Sequence, residues 1–420
     1  MTVKNLSTLL NLIATEVLGQ KEVEQNGQMV KVDQDIAKED LSDFAQTAQT
    51  FANAIGYDNY VRKLVDHIGK MVFVDRAYQG RAPKVLMDGW EYGSIVEKVD
   101  VDLPTTKKDD AWDLQDGQTY SQDVFHKPNV RVTFYNGSSS YMVELSITQD
   151  QIKSSLSSPS ELNRFVGTIY TKMQNKMTLN YDELVMRTIN NFIGETLFDE
   201  YKTSDATPVL GDIGAKSGVR AVNLLYLYNT QFGLTGNDAL TADKALVTPS
   251  FLMFATAEIK KKMKFMETYS TLYNLKRAER FTPRDKMHVV FLSDFTAKCD
   301  SYLRASTFHD ELVKLPKYEE VAYWQALGSD ETADGELIIK TSTTKKDVTV
   351  SGKILGVVFD HEALGVRQPE AETRMHMNEM NKFWNVAYCA KASYFNADDE
   401  NFVVFFIQDP VPSNNSNANS

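Results

Sequence analysis

The residues with the clearest chemical potential fall in a few short stretches. In GDIGAKSG, Gly211 and Gly214 precede Lys216 and Ser217, the residue types with which a phosphate loop cradles a nucleotide. That loop needs a glycine immediately before Lys-Ser, and Ala215 stands there instead, with no strand-to-helix context around it. The stretch reads as a flexible linker. DAWDLQDG offers Asp110, Asp113 and Asp116 ahead of Gly117, but these carboxylates are spaced by three where a calcium loop spaces them by two, and no terminal glutamate follows. A solvated acidic loop tip is the expectation there.

The six histidines, His67, His126, His288, His309, His361 and His376, show no His-Glu-x-x-His or comparable ligand spacing. Asp360, His361 and Glu362 are three consecutive residues, which cannot converge on one substrate atom, and they read as a polar turn after a buried strand. Cys299 and Cys389 have neither a C-x-x-C spacing nor a nucleophile context, and two cysteines do not make a disulfide scaffold. The expectation is therefore no catalytic residue, no cofactor and no metal.

One charged stretch is different. From Glu258 to Lys286 nine Lys or Arg face four acids, while residues 1–60 carry nine Asp or Glu against four Lys. Leu252, Ala255, Ile259, Met263 and Met266 form an apolar stripe on the basic segment. A solvated helix face is the plain reading, and complementarity between an acidic arm and a basic helix in different subunits is a second.

These residues need elements to hold them. The chain has 420 residues, 42% hydrophobic and 24% charged, which is globular composition. A net charge of -12 argues against a surface that grips phosphate backbones. No run of about 18 apolar residues exists to span a membrane, and the N-terminal apolar stretch, broken by Asn11, Thr15 and Glu16, is not expected to be a signal peptide.

Helical spacing predicts short helices over residues 6–18, 41–55 and 61–68, with a tight hairpin at Asn26-Gly27. SIVEKVDVDLP alternates as a strand, and NVRVTFYNGSSSYMVELSIT reads as a hairpin turning at Asn136-Gly137. The long polar segment between them makes a projecting strand pair with a mobile tip. Ser158, Pro159 and Glu161 start a helix whose apolar period persists for about 40 residues, roughly 60 Å of rise, a spine. Helices then alternate with strands: VNLLYLYNTQFG and PSFLMFATAEIKKKMKFMETYSTL helical, MHVVFLS and ELIIKT extended, FTAKCDSYLRA helical. KILGVVFDHEALGV, KFWNVAYCAKASYFN and NFVVFFIQD close the chain as strands before a polar tail.

This order of elements resembles the major capsid proteins of tailed bacteriophages. NYVRKLVDHIGKMVFVDR, VLMDGWEYGSIVEK, ELVMRTINNFIGETL and GVVFDHEALGVR are similar to stretches of such proteins from phages and prophages of Gram-positive bacteria. The resemblance implies an α+β tailed-phage capsid fold: N-terminal arm 1–70, extended loop 71–150, peripheral domain with its spine helix 151–205, axial domain 206–355, peripheral return strands 356–410 and a disordered tail 411–420. It implies a structural, non-enzymatic protein whose partners are copies of itself in pentamers and hexamers of an icosahedral shell. Portal, scaffolding or accessory proteins and packaged double-stranded DNA, held without sequence-specific contact and without membrane, complete the implied partners. The implied location is the virion, assembled in the host cytoplasm. Encapsulin compartments share the implied fold and are the nearest alternative; a soluble enzyme with an unrecognised site is the alternative from another class.

Overall fold

The computed structural model describes residues 22–25, 28–31, 58–59, 61–66, 83, 96–101, 106, 112, 114–119, 127, 130–135, 137–155, 159–206, 209–211, 213, 216–306, 318–324, 337–340, 347–350 and 353–409. The helices read at 6–18 and 41–55, the start signal at Ser158 and the polar tail lie outside them. β1 (Glu22–Gln25) and β2 (Gln28–Lys31) pair antiparallel around Asn26-Gly27, with Gln25 opposite Gln28. The architecture mixes helices and sheets in two compact units.

The first unit comprises the described residues within 1–80, 138–182 and 368–392. A three-stranded sheet has the order β12 (Leu364–Asn378), β13 (Phe383–Asn396), β5 (Gly137–Thr148). The turn between β12 and β13 is made by Asn378, whose side chain accepts a hydrogen bond from Asn381 N, and by Lys382 at a left-handed φ of 50°. Lys382 O then accepts from Gln149 N, where α1 (Gln149–Ser155) begins. Trp384 is fully buried and its indole N–H donates to Asp58 Oδ1 at 2.8 Å, which satisfies the one polar atom of a large apolar side chain. Val61, Leu64 and Val65, three of the four apolar residues read in the third helix, are buried.

α2 (Pro159–Tyr201) is the long helix, 43 residues, about 64 Å at 1.5 Å per residue. Two burial regimes explain its length. Up to Met177 the buried residues Val166, Ile169, Met173 and Met177 step along one stripe. From Leu184 on, Val185, Met186, Ile189, Phe192, Ile193, Leu197 and Phe198 are buried nearly all round, as expected of a helix inside a core.

The second unit comprises the described residues within 81–137, 183–367 and 393–420. Its centre is a mixed five-stranded sheet, β6-β14-β11-β7-β8, formed by Ala221–Asn223, Phe402–Ile407, Lys353–Asp360, Met287–Leu292 and Glu319–Val321. Both faces of β14 are buried, which is why FVVFFI reads as an unbroken apolar run. Val403, Phe405 and Ile407 join a cluster with Tyr228 of α3 (Leu224–Gln231), Phe251, Leu252 and Ile259 of α4 (Pro249–Met266) and Phe295 of α5 (Ser293–Ser306). On the opposite face Phe402 stacks on Phe192 of α2 at 4.1 Å between ring centroids, and Phe406 meets Tyr201 edge-on at 6.2 Å. Gly356 in β11 is there for close approach: a Cβ would lie 2.2 Å from the Phe291 ring and 2.7 Å from Val290 O.

Two sequence expectations are corrected. The hairpin at Asn136-Gly137 does not form: β4 (Val130–Tyr135) pairs with β3 (Val96–Val101), whereas β5 joins the β12-β13 sheet. Gly137 lacks the positive φ a tight turn needs. Its missing Cβ instead makes room for Tyr394 O, which a Cβ would approach to 2.4 Å. The basic helix ends at Met266 and does not run on to Leu272, because Ser270 and Arg280 pair through their backbones and Thr282 N donates to Met266 O.

Phe402→Ala should cost about 3–5 kcal/mol in denaturant unfolding, the range for deleting a buried phenyl ring. Trp112→Ala, at a side chain 90% exposed, should stay within about 0.5 kcal/mol.

Candidate subunit interface

The register of β3 and β4 runs from Val96 opposite Tyr135 to Val101 opposite Val130. Strand alternation then puts Val99, Val101, Val130, Val132 and Phe134 on one face of the ribbon, with Glu97 at its end opposite Phe134. All five are exposed, Phe134 by 63% and Val99 by 58%. Lys98, Arg131, Thr133 and Tyr135 fall on the other face and are partly covered. This inverts the usual arrangement, in which a half-buried strand hides its apolar side.

What holds the polar face inward is a cluster of charge. Lys98 Nζ pairs with Glu400 and lies 3.4 Å from Asp399 Oδ2. Arg280 donates to Asp399 Oδ2 at 3.0 Å and places its Nε 3.4 Å from Glu400 Oε1. The Tyr135 hydroxyl donates to Asp399 Oδ1 at 3.4 Å, and its ring packs 5.2 Å from Phe395. Two cations thus face two carboxylates whose side chains are 8% exposed. Both acids sit in the short connection between β13 and β14, a turn closed by Glu400 N donating to Ala397 O.

The titration of the cluster follows from burial and charge. Burial alone would raise the Asp399 carboxyl, but Lys98 and Arg280 hold it below the ordinary value. Burial dominates at Glu400 and pushes it up in spite of Lys98 and Arg280. Burial also raises Asp398, opposed by Lys276 and reinforced by Glu195 and Asp399. The Tyr135 phenol is pushed up by burial and then by Asp399, so it stays a hydrogen-bond donor.

A profile of the Phi29-like phage major capsid protein family matches residues 19–406. The chain belongs to that family. Among curated relatives it is similar to the major capsid protein of Bacillus phage GA-1, 23% identical over 161 residues that are 38% of this chain and 33% of the relative. A second, from Bacillus phage B103, is 22% identical over 160 residues, 38% of this chain and 34% of the relative. The matched stretch therefore spans about a third of the length of those relatives. Similar solved structures include the capsid of Staphylococcus phage Andhra, at 8% identity and TM-score 0.44 over 80% of this chain and 84% of that one. The capsid of cyanophage P-SCSP1u is another, at 12% identity and TM-score 0.41 over 78% and 86%.

In this capsid protein the motifs singled out by chemistry serve structure. Gly211 N donates to Tyr201 O, and a Cβ on Gly211 would lie 2.7 Å from that oxygen. Lys216 O accepts from the Tyr201 hydroxyl and Ser217 Oγ from Asn223 N, so the glycine-rich segment wraps the end of α2. Arg220 there binds Asp199 at 2.6 Å and Glu200 at 3.0 Å, offsetting two acids placed unfavourably at a helix C-terminus. Gly214, Asp110 and Asp113 lie outside the described residues, as do His67, His126 and His309. Asp116 and Gly117 are exposed in a turn, Gly117 at a φ of 81°.

Asp360 Oδ1 accepts from Glu362 N, the polar turn expected after β11. The fold brings His288 Nε2 within 3.0 Å of His361 Nδ1, with the His288 ring stacked on Phe359; residues 73 apart in sequence gave no spacing signal for this pair. His376 is exposed. Among the described residues no group of three or more His, Cys, Asp or Glu is placed to hold a metal ion, and no helix is long and apolar enough to cross a membrane. The Cys299 thiol is buried and pushed up to about 12, which keeps it protonated and unreactive. The sequence reading missed the Asp399–Glu400 cluster; DDEN between two apolar strands was its signal, because a short inter-strand turn of acids needs cations nearby.

The cluster predicts opposite pH slopes on the two sides of the carboxylate range. Asp399, depressed in the folded state, contributes stability that is present above its unfolded value of about 3.9 and is lost as pH falls below it. Glu400, raised in the folded state, binds its proton more readily folded than unfolded, so stability declines as pH rises from about 4.3 to its folded value. Thermal melts against pH should show Asp399→Asn flattening the lower limb and Glu400→Gln the upper one.

Proposed function

We propose that this chain is the shell-forming head protein of a phage, assembling as pentamers and hexamers into an icosahedral capsid around double-stranded DNA. The observation that carries the reading is the ribbon. Val99, Val101, Val130, Val132 and Phe134 make a largely apolar face on a two-stranded element too small to be stable alone, held with that face outward by its own charge cluster. Such a surface suits burial on a neighbouring copy, and membership of a capsid protein family supplies the neighbour.

In this reading residues 1–70 are an arm, 71–150 the extended loop, and the long helix and five-stranded sheet belong to the peripheral and axial domains. The net charge of -12 supports a container that encloses DNA without gripping it through counterion release. Portal and scaffolding or accessory proteins are the further partners, and the virion, built in the host cytoplasm, is the location. The role is structural and not catalytic.

The test is assembly of the purified chain, followed by light scattering and negative-stain microscopy. Shells or capsomers are expected, and a monodisperse monomer over a wide concentration range would overturn the proposal. Val132→Asp with Phe134→Asp, at exposed positions, should leave the thermal melt close to the parent. Removing two apolar contacts of about 1.5–3 kcal/mol each per interface should abolish particles at concentrations where the parent forms them.

A further inference from the structure

We propose that an aromatic and basic patch at the end of α4 docks the acidic N-terminal stretch of a second copy of this chain. This deepens the self-assembly reading by naming a second contact, independent of the ribbon.

The patch is built by a fold-back. The Ser270–Arg280 bridge and the Thr282 N to Met266 O bond return the chain alongside the helix end. This sets the Tyr269 and Phe281 rings 4.6 Å apart, 60% and 40% exposed, while Phe265 on the last turn of α4 is 45% exposed. Aromatic rings left uncovered in contact with each other are characteristic of interfaces and not of solvated loops. Lys260 and Lys264 lie one turn apart on α4, and Arg284 follows three residues after Phe281. Lys264 is 72% exposed and pairs with Glu267, a contact of small net worth.

Lys260 and Arg284 are close enough to interact unfavourably. Burial first, and then the Arg284 charge, hold the Lys260 ammonium below its ordinary value. Among the described residues neither is bonded to a carboxylate. The two cations lie on the segments that flank the uncovered aromatic pair in sequence, Lys260 on α4 and Arg284 two residues beyond Thr282 on the returning chain, and this combination suits carboxylates flanked by apolar side chains.

The chain carries that chemistry itself. In DQDIAKEDLSDFAQTAQTF, Asp33, Asp35, Glu39, Asp40 and Asp43 surround one lysine, and Leu41, Phe44 and Phe51 follow at helical spacing. A peptide of free acids alone would match the rim, and an apolar one alone the rings; this stretch matches both. A shell of identical chains supplies the segment at every copy of the patch.

The experiment exchanges the charges. Full-length Lys260→Glu/Arg284→Glu and full-length Asp40→Lys/Asp43→Lys are compared alone and as an equimolar mixture by sedimentation velocity. Each variant alone should associate about tenfold more weakly than the parent, and the mixture should recover parental association, because each chain then meets a complementary surface. Association of the parent should also weaken in 1 M salt, where the Debye length falls to about 3 Å. Variants that associate like the parent, or a mixture no better than its components, would overturn the proposal. If the charge variants misfold, Tyr269→Ser with Phe281→Ser, at exposed positions, takes their place, and full association of that variant would be equally fatal. Failure here is separable from failure of the shell reading: in the first case the parent assembles and the patch variants do too, in the second the parent does not assemble.

Discussion

The five-stranded sheet and its helices would fold around apolar area alone, but the direction in which the ribbon faces depends on a handful of buried charges. Taking Asp399 and Glu400 out of water costs several kcal/mol per ion, and a buried ion pair rarely repays this in stability. What it supplies is direction. Lys98 and Tyr135 are on the same face of their ribbon, so satisfying the two carboxylates turns that face inward and sends Val99, Val132 and Phe134 outward. An apolar contact would have chosen the opposite orientation. Arg280 makes the arrangement self-consistent by balancing the second carboxylate and tying in the fold-back at the end of α4.

A monomeric protein with this surface would be at risk. Two-stranded ribbons with an exposed apolar face template further association, and natural proteins that must stay single blunt them with charge or cover. Here the two cations of the ribbon, Lys98 and Arg131, lie on the concealed side. The same inversion recurs in milder form at Tyr269 and Phe281, which expose aromatic rings beside cations. Both features suit the self-association proposed for this chain.

The polar motifs with catalytic appearance were absorbed by the backbone. Gly211 and Gly218 permit close approach at the end of α2, and Asp360 caps a turn. Hydrogen-bonding side chains at the ends of long elements have ready partners in unsatisfied backbone groups, so a local resemblance to an active-site motif carries little weight by itself.

Local pattern was enough for the elements whose signals are local. The 43-residue helix, the α4 stripe from Leu252 to Met266, the doubly buried β14 and the hairpin at Asn26-Gly27 were all legible, because periodicity and turn chemistry act over a few residues. The resemblance strings carried the family. Asn136-Gly137 misled, since the same dipeptide can make a turn or admit a crossing backbone, and only the position of Tyr394 decides which. The charge cluster joins residues 302 positions apart, and the His288–His361 pair 73. The sequence by itself determined the type of the described elements with strong local periods, such as α2, α4 and β14, and the composition their faces carry. The tertiary structure decided which face of the ribbon meets water, because that choice rests on long-range electrostatic pairing that no local period encodes.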